Sequence, residues 1–247
     1  MSDAIETLEG WYAFHDFRQI DWKSWNSSSG DERREARDSL AMIVAEWNRI
    51  NEARSGSTGI YQIIGHRADL LFINFRATPE ELMQAEVDMN RSKLNRFLLQ
   101  SYSYFSVVEL SKYLVKDQVD ALALPGTEER LYPHLPHTRF VCFYPMEKRR
   151  QGTDNWYMQT TTQRREIMKE HGILGHKYRD RVTQIITGSQ GLDEWEWGVT
   201  LYADDMVDFK KLIYEMRFDE ASARFADFGP FLVGKRLSED ELFNLLS

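Results

Sequence analysis

Ile60-Tyr61-Gln62-Ile63-Ile64-Gly65, followed by Asp69-Leu70-Leu71-Phe72-Ile73-Asn74-Phe75, returns in the second half of the chain. There it reads Val182-Thr183-Gln184-Ile185-Ile186-Thr187-Gly188, followed by Glu194-Trp195-Glu196-Trp197-Gly198-Val199-Thr200-Leu201. In each case two apolar, β-branched or aromatic runs are separated by glycine and polar residues, which predicts a hairpin, and each hairpin enters a helical pattern. Outward from these hairpins, the first half reads as strand 10–17, helix 30–51, hairpin 59–76, helix 78–93 and strand 101–110. The second half repeats the order with strand 140–144, helix 160–171, hairpin 182–202, helix 205–225 and strand 231–237. The pattern is βαββαβ twice.

The expected fold is therefore α+β, with two tandem ferredoxin-like βαββαβ units packed as a dimeric α+β barrel. The expected boundaries are 1–115 for the first half, 116–138 for a linker and 139–247 for the second half, which carries the site. The linker contains Leu124-Pro125-Gly126 and two further prolines, Pro133 and Pro136, residues that interrupt helices and ladders.

At 247 residues with 42% hydrophobic and 13% aromatic side chains, the chain has ample material for a core. Lys plus Arg count 31 against 39 Asp plus Glu, a formal charge of −8, which disfavours nucleic acid and anionic membrane as general partners. No apolar run is long enough for a membrane span, and the first residues carry acids where a signal peptide carries bases, so a cytoplasmic location is expected. Cys142 is the single cysteine, which excludes an intramolecular disulfide and any cysteine-built zinc or iron–sulfur centre.

Three motifs carry chemistry. In Phe140-Val141-Cys142-Phe143-Tyr144-Pro145, alternation puts Phe140, Cys142 and Tyr144 on one face, and Pro145 is expected to end the ladder with the phenol at a rim beside Lys148, Arg149 and Arg150. Thr160 and Gln163 stand at capping-box spacing and Gly172 is the expected helix terminus. In that register His171 shares a face with Ile167 and Met168 and points inward, either as a core histidine bonded to a carbonyl or as a metal ligand with a second-shell acceptor. Gln184, between Val182 and Ile186 on one strand face, needs a polar ligand or partner to offset its burial. Zinc would want several convergent ligands; a single imidazole suits haem.

With Tyr144-Pro145-Met146-Glu147-Lys148, Glu170-His171-Gly172, Gln184-Ile185-Ile186-Thr187-Gly188, Trp195-Glu196-Trp197-Gly198 and Met216-Arg217-Phe218-Asp219-Glu220-Ala221-Ser222 in place, the chain resembles the chlorite dismutase superfamily. Within it, the resemblance is to the coproheme decarboxylase (HemQ) branch. That resemblance implies peroxide-dependent oxidative decarboxylation of two propionates of iron coproporphyrin III (coproheme) to vinyls. The product would be haem b, in coproporphyrin-dependent haem biosynthesis. It also implies a homopentamer, hydrogen peroxide as co-substrate, coproporphyrin ferrochelatase as a possible donor and no other metal. His171 corresponds to the axial iron ligand, Tyr144 to the redox-active phenol and Lys148 to a propionate-handling or proton-relaying residue. Arg130, Tyr144, Pro145, Met146, Glu147, Lys148, Gln184, Arg217 and Ser222 correspond to the porphyrin-binding shell. Chlorite-degrading members carry a distal arginine where this chain has Gln184, and a neutral amide does not hold an anion as a guanidinium does. The alternatives are a chlorite dismutase, a weak haem peroxidase, or a haem carrier or sensor.

Overall fold

A computed structural model describes residues 4–113 and 124–247. Part of the expected linker 116–138 therefore lies outside the described residues, as does the end of the first expected domain. The elements in chain order are β1 (Thr7–Ile20), α1 (Trp22–Ser27), α2 (Gly30–Ala53), β2 (Gly56–Ile63), β3 (Leu70–Arg76), α3 (Pro79–Arg91) and β4 (Leu98–Ser111). They continue with α4 (Thr127–Leu131), β5 (Phe140–Lys148), β6 (Arg150–Gln151), β7 (Asp154–Asn155), α5 (Thr161–His176), β8 (Thr183–Gly188) and β9 (Trp197–Ala203). The chain closes with α6 (Met206–Met216), α7 (Glu220–Ala223), β10 (Ala226–Phe228), β11 (Leu232–Arg236) and α8 (Glu239–Leu245). The fold is mixed α+β with antiparallel sheet.

The helices start where the sequence supplies caps. Ser29 with Glu32, Thr78 with Glu81, Thr160 with Gln163 and Ser238 with Glu241 all close reciprocal capping boxes, each satisfying backbone donors that a helix start leaves orphaned. Among the described residues no helix is long and apolar enough to cross a membrane.

The chain divides into two compact units, one of residues 1–10 with 106–231 and the other of residues 11–105 with 232–247. This is not a cut in mid-chain. The carboxy-terminal strand β11 pairs antiparallel with β2, Lys235 opposite Gln62, and so joins the amino-terminal residues. In that unit β2 pairs with β3 and β3 with β1. In the other unit β10 pairs with β5, β5 with β9, β9 with β8, and β8 with β4, all antiparallel. The strand closing the second βαββαβ series is the short β10, where the sequence reading had put 231–237.

Three further expectations need correction. Pro145 does not end its strand: it lies opposite Gly198 inside β5, and although it lacks a donor its carbonyl still accepts the Gly229 N–H at 2.9 Å. Gly172 does not end its helix, because it keeps a negative φ and α5 runs on to His176. The helix expected over 205–225 is broken after Met216, where the Asp219 side chain caps α7 by accepting the Ser222 N–H.

Candidate active site

The site is built on one face of the sheet β10-β5-β9-β8-β4. Antiparallel partners point to the same side, so Tyr144 with Val199 and Ile186, Met146 with Trp197 and Gly188, and Cys142 with Leu201 and Gln184 form three rows across it. The opposite face is sealed, with Phe143, Thr200, Ile185 and Thr187 all buried. On the site face Ile186 is 43% exposed and Gln184 is half-buried. An exposed isoleucine between buried strand neighbours marks an open cleft. Gln184 is thus less deeply set than its expected pairing with Val182 and Ile186 suggested, because the buried side of β8 is Ile185 and Thr187.

Helix α5 faces this floor. A side-chain carbon on Gly175 would stand 3.6 Å from the Gln184 amide nitrogen, so β8 and α5 approach closely there. His171 lies one turn before Gly175, on the same helix face. Its Nδ1 is 3.0 Å from Asp219 Oδ2. Asp219 in turn accepts from the Ser222 backbone N–H at 3.0 Å and from the Ser222 hydroxyl at 3.2 Å. Burial raises the Asp219 carboxyl, but the bonds from His171 and Ser222 together outweigh it and hold the group below the usual carboxylate range. An ionised Asp219 accepts from the Nδ1 N–H, so Nε2 is the ring nitrogen left to meet a ligand. Nε2 has no hydrogen-bond partner among the described residues, and the imidazole is 27% exposed.

Tyr144 is not at a rim. It is buried in mid-strand, stacked on Phe231 with centroids 4.6 Å apart and leaning on Phe228 at 5.9 Å. Arg217 lies over the Phe228 ring at 3.8 Å without an ion pair. Burial, with the nearby Cys142 thiol, pushes the Tyr144 phenol well above its ordinary pKa, and Arg217 opposes that shift. Cys142 itself is a core residue whose thiol burial pushes up to about 12.

Lys148 ends β5 with its ammonium 4.4 Å from the Trp156 ring centroid. Burial pushes it down to about 8, against the opposing pull of Asp219 and Glu196. The lysine thus sits beside the carboxylate that orients His171. Met146 shares the site face, whereas Pro145 and Glu147 alternate to the other side, where Glu147 pairs with Arg150 at 3.1 Å. Arg130 is exposed on α4, its guanidinium unpaired among the described residues. Tyr144, Met146, Lys148, His171, Gln184, Arg217 and Ser222 therefore come together in one unit. Asp219 escaped the sequence reading, although its spacing to Ser222 is that of a helix cap.

The donor set fits an iron porphyrin. Among the described residues no three His, Cys, Asp or Glu side chains converge as a metal cluster would require. A single oriented imidazole suffices where the macrocycle supplies the other donors. The same unit offers an exposed apolar Ile186, the neutral Gln184 amide and, beside Phe228, the Arg217 guanidinium, a group suited to a propionate.

Comparison with known proteins identifies the fold and the family. A solved structure of a haem-binding protein from Thermus thermophilus is 48% identical over 100% of this chain and 98% of its own, with a TM-score of 0.96. Two chlorite dismutase variants from Candidatus Nitrospira defluvii share the fold. One has 19% identity, 96% and 95% coverage and a TM-score of 0.78; the other has 20% identity, 98% coverage of both chains and the same score. The chlorite dismutase family profile matches residues 33–237, and the chain belongs to that family.

Proposed function

We propose that the protein is a coproheme decarboxylase, converting two propionates of iron coproporphyrin III to vinyls with hydrogen peroxide to give haem b. One observation supports this reading: His171, oriented by Asp219, and the Gln184 amide, set against Gly175 one helical turn on, meet between α5 and β8, and neither the Nε2 nor the amide has a hydrogen-bond partner among the described residues. Unpaired polar groups at one place imply a ligand that pairs them.

When bound, the iron porphyrin supplies the oxidising power of peroxide. His171 Nε2 would hold the iron, with Asp219 and Ser222 fixing the ring and raising its donor strength. Gln184 would stand on the peroxide side, polar without a charge. Arg217 and Arg130 would pair with propionates. Tyr144, on losing its phenol hydrogen, would take a hydrogen atom from the propionate beside it; the carboxylate would then leave as carbon dioxide while a second electron passes to the remaining oxidising equivalent of the peroxide, and the vinyl would remain. The reaction consumes a proton, and Lys148, poised near neutral pH, is placed to deliver one.

The same reading extends to the fold and setting. The βαββαβ order in each unit supports tandem ferredoxin-like halves of a dimeric α+β barrel. The proposal includes a cytoplasmic homopentamer that receives coproheme from coproporphyrin ferrochelatase. The test is to incubate the purified protein with ferric coproheme and peroxide and follow porphyrin mass. Successive losses of carbon dioxide support decarboxylation, and Tyr144→Phe should abolish them while leaving coproheme affinity within about twofold. Chlorite-dependent oxygen release would instead indicate a dismutase. An unchanged porphyrin would leave a haem carrier, the reading favoured by the haem-binding relative.

A further inference from the structure

Strand β4 contributes a carboxyl to the site face that the reaction above does not use. Val107 pairs with Gly188, so Glu109 and Ile186, two residues further along their strands, fall in the Tyr144 row. The Trp197 indole N–H donates to Glu109 Oε1 at 3.3 Å. The other carboxyl oxygen is pressed onto β8: a side-chain carbon at Gly188 would come within 2.2 Å of Glu109 Oε2. Glycine lets the carboxylate rest there, and a larger residue would displace the end of the Glu109 side chain.

Trp197 is also close to the phenol. Val199 is opposite Tyr144 and Trp197 is opposite Met146, so Tyr144 and Trp197 are diagonal cross-strand neighbours on one face. Such pairs stand about 7–8 Å apart between backbones, within reach of large rings. The two oxidisable side chains differ in one respect. Tyr144 has no hydrogen-bond acceptor among the described residues, whereas Trp197 has a carboxylate.

We propose that Trp197 and Glu109 form a second proton-coupled redox site on the cleft face, to which the electron vacancy passes when Tyr144 has no substrate carboxylate before it. The inference rests on the cleft binding an iron porphyrin, but not on decarboxylation. Hydrogen peroxide, reduced to water at the bound iron porphyrin, withdraws one electron from the indole. The indole N–H bond breaks, an O–H bond forms on Glu109, and a neutral indolyl radical stands beside a neutral carboxylic acid. The second oxidising equivalent stays at the iron. Burial raises the basicity of Glu109, the bond from Trp197 opposes this and the neighbouring Glu9 adds to it; Tyr113 is the other titratable group that senses Glu109.

Two measurements test the pair. In the porphyrin-free protein, the Trp197 indole resonance, assigned by its loss in Trp197→Phe, should shift with pH as a carboxyl titrates above the usual glutamate range. Glu109→Gln, which keeps an acceptor oxygen, should abolish that titration; a resonance indifferent to Glu109 overturns the proposal. In the haem b-loaded protein mixed with peroxide and freeze-quenched, electron paramagnetic resonance should show an indolyl radical. It should be absent in Trp197→Phe and at least tenfold weaker in Glu109→Gln. A tyrosyl signal alone, unchanged in both variants, would overturn the inference whether or not coproheme is decarboxylated.

Discussion

The two units place a long helix over antiparallel sheet in the same chain order, yet use it in opposite ways. In the unit of residues 11–105 with 232–247, α2 buries Ala36, Leu40, Val44 and Trp47 along its whole length, in a core with Trp25, Phe72, Phe97 and Leu242. In the other unit α5 buries Arg164 and Ile167, and the same stripe then continues as His171 and Gly175. The stripe spacing is alike; the side-chain volume is not. Where bulk continues the sheet is sealed, and where it gives way to an imidazole and a glycine the sheet face stays open at Ile186, with Gln184 held against Gly175. Topology thus supplies the platform, and local volume decides which copy of it can hold a ligand.

The largest effect should expose that contrast directly. Leu40→Ala should cost about 2–5 kcal/mol, because the sealed core cannot collapse around the void, while Ile186→Ala should cost less than about 1 kcal/mol. Denaturant unfolding of both variants measures this, and equal losses would break the comparison.

Acid should act on the sealed unit first. His15 on β1 is fully buried, and burial pushes its imidazole down to about 3 from 6.5. The unfolded chain takes up a proton below its own pKa and the folded chain does not, so this contribution holds above pH 6.5 and is lost as pH falls. The loss should be about 2 kcal/mol by about pH 5, and His15→Leu should flatten that limb of the stability curve.

The open unit should respond at the alkaline side. Lys148 is lowered to about 8 from 10.5, so between these values the unfolded chain holds a proton that the folded chain has released. Stability attributable to this group therefore rises with pH through that window, on the order of 1 kcal/mol over the first pH unit, and Lys148→Met should remove the rise in thermal melts. The smallest effect sharpens the cleft itself. Gly175→Ala should stabilise α5 by about 0.5–1 kcal/mol, since the added carbon meets only ordinary contact with Gln184 at 3.6 Å. Iron porphyrin affinity should fall about tenfold, and an unchanged titration would move the ligand elsewhere.

Much of this was legible in one dimension. The hairpin echo at Ile60 and Val182 located β2, β3, β8 and β9, because period-two alternation and turn residues act locally. The Thr160 capping box gave the start of α5 and hence the face of His171. Local signals failed where a distant partner intervened. Pro145 stays in its strand because Gly198 lies opposite it and the Gly229 N–H donates to its carbonyl. The carboxy-terminal strand leaves its own half because β2 offers it a ladder. Asp219 and Glu109 were overlooked because their partners, His171 and Trp197, are far away in the sequence.

By itself the sequence determined the order of elements, the absence of an intramolecular disulfide, the motifs that suggest an iron porphyrin and the identities of the imidazole, phenol and amide. Those follow from residue type and short-range spacing. Only the tertiary structure decided that α5 sets Gly175 against Gln184 and leaves Ile186 exposed, that Asp219 orients His171, and that Glu109 stands against Trp197. Each of these depends on register between strands and on the volume left between a helix and a sheet, quantities set by packing across the fold.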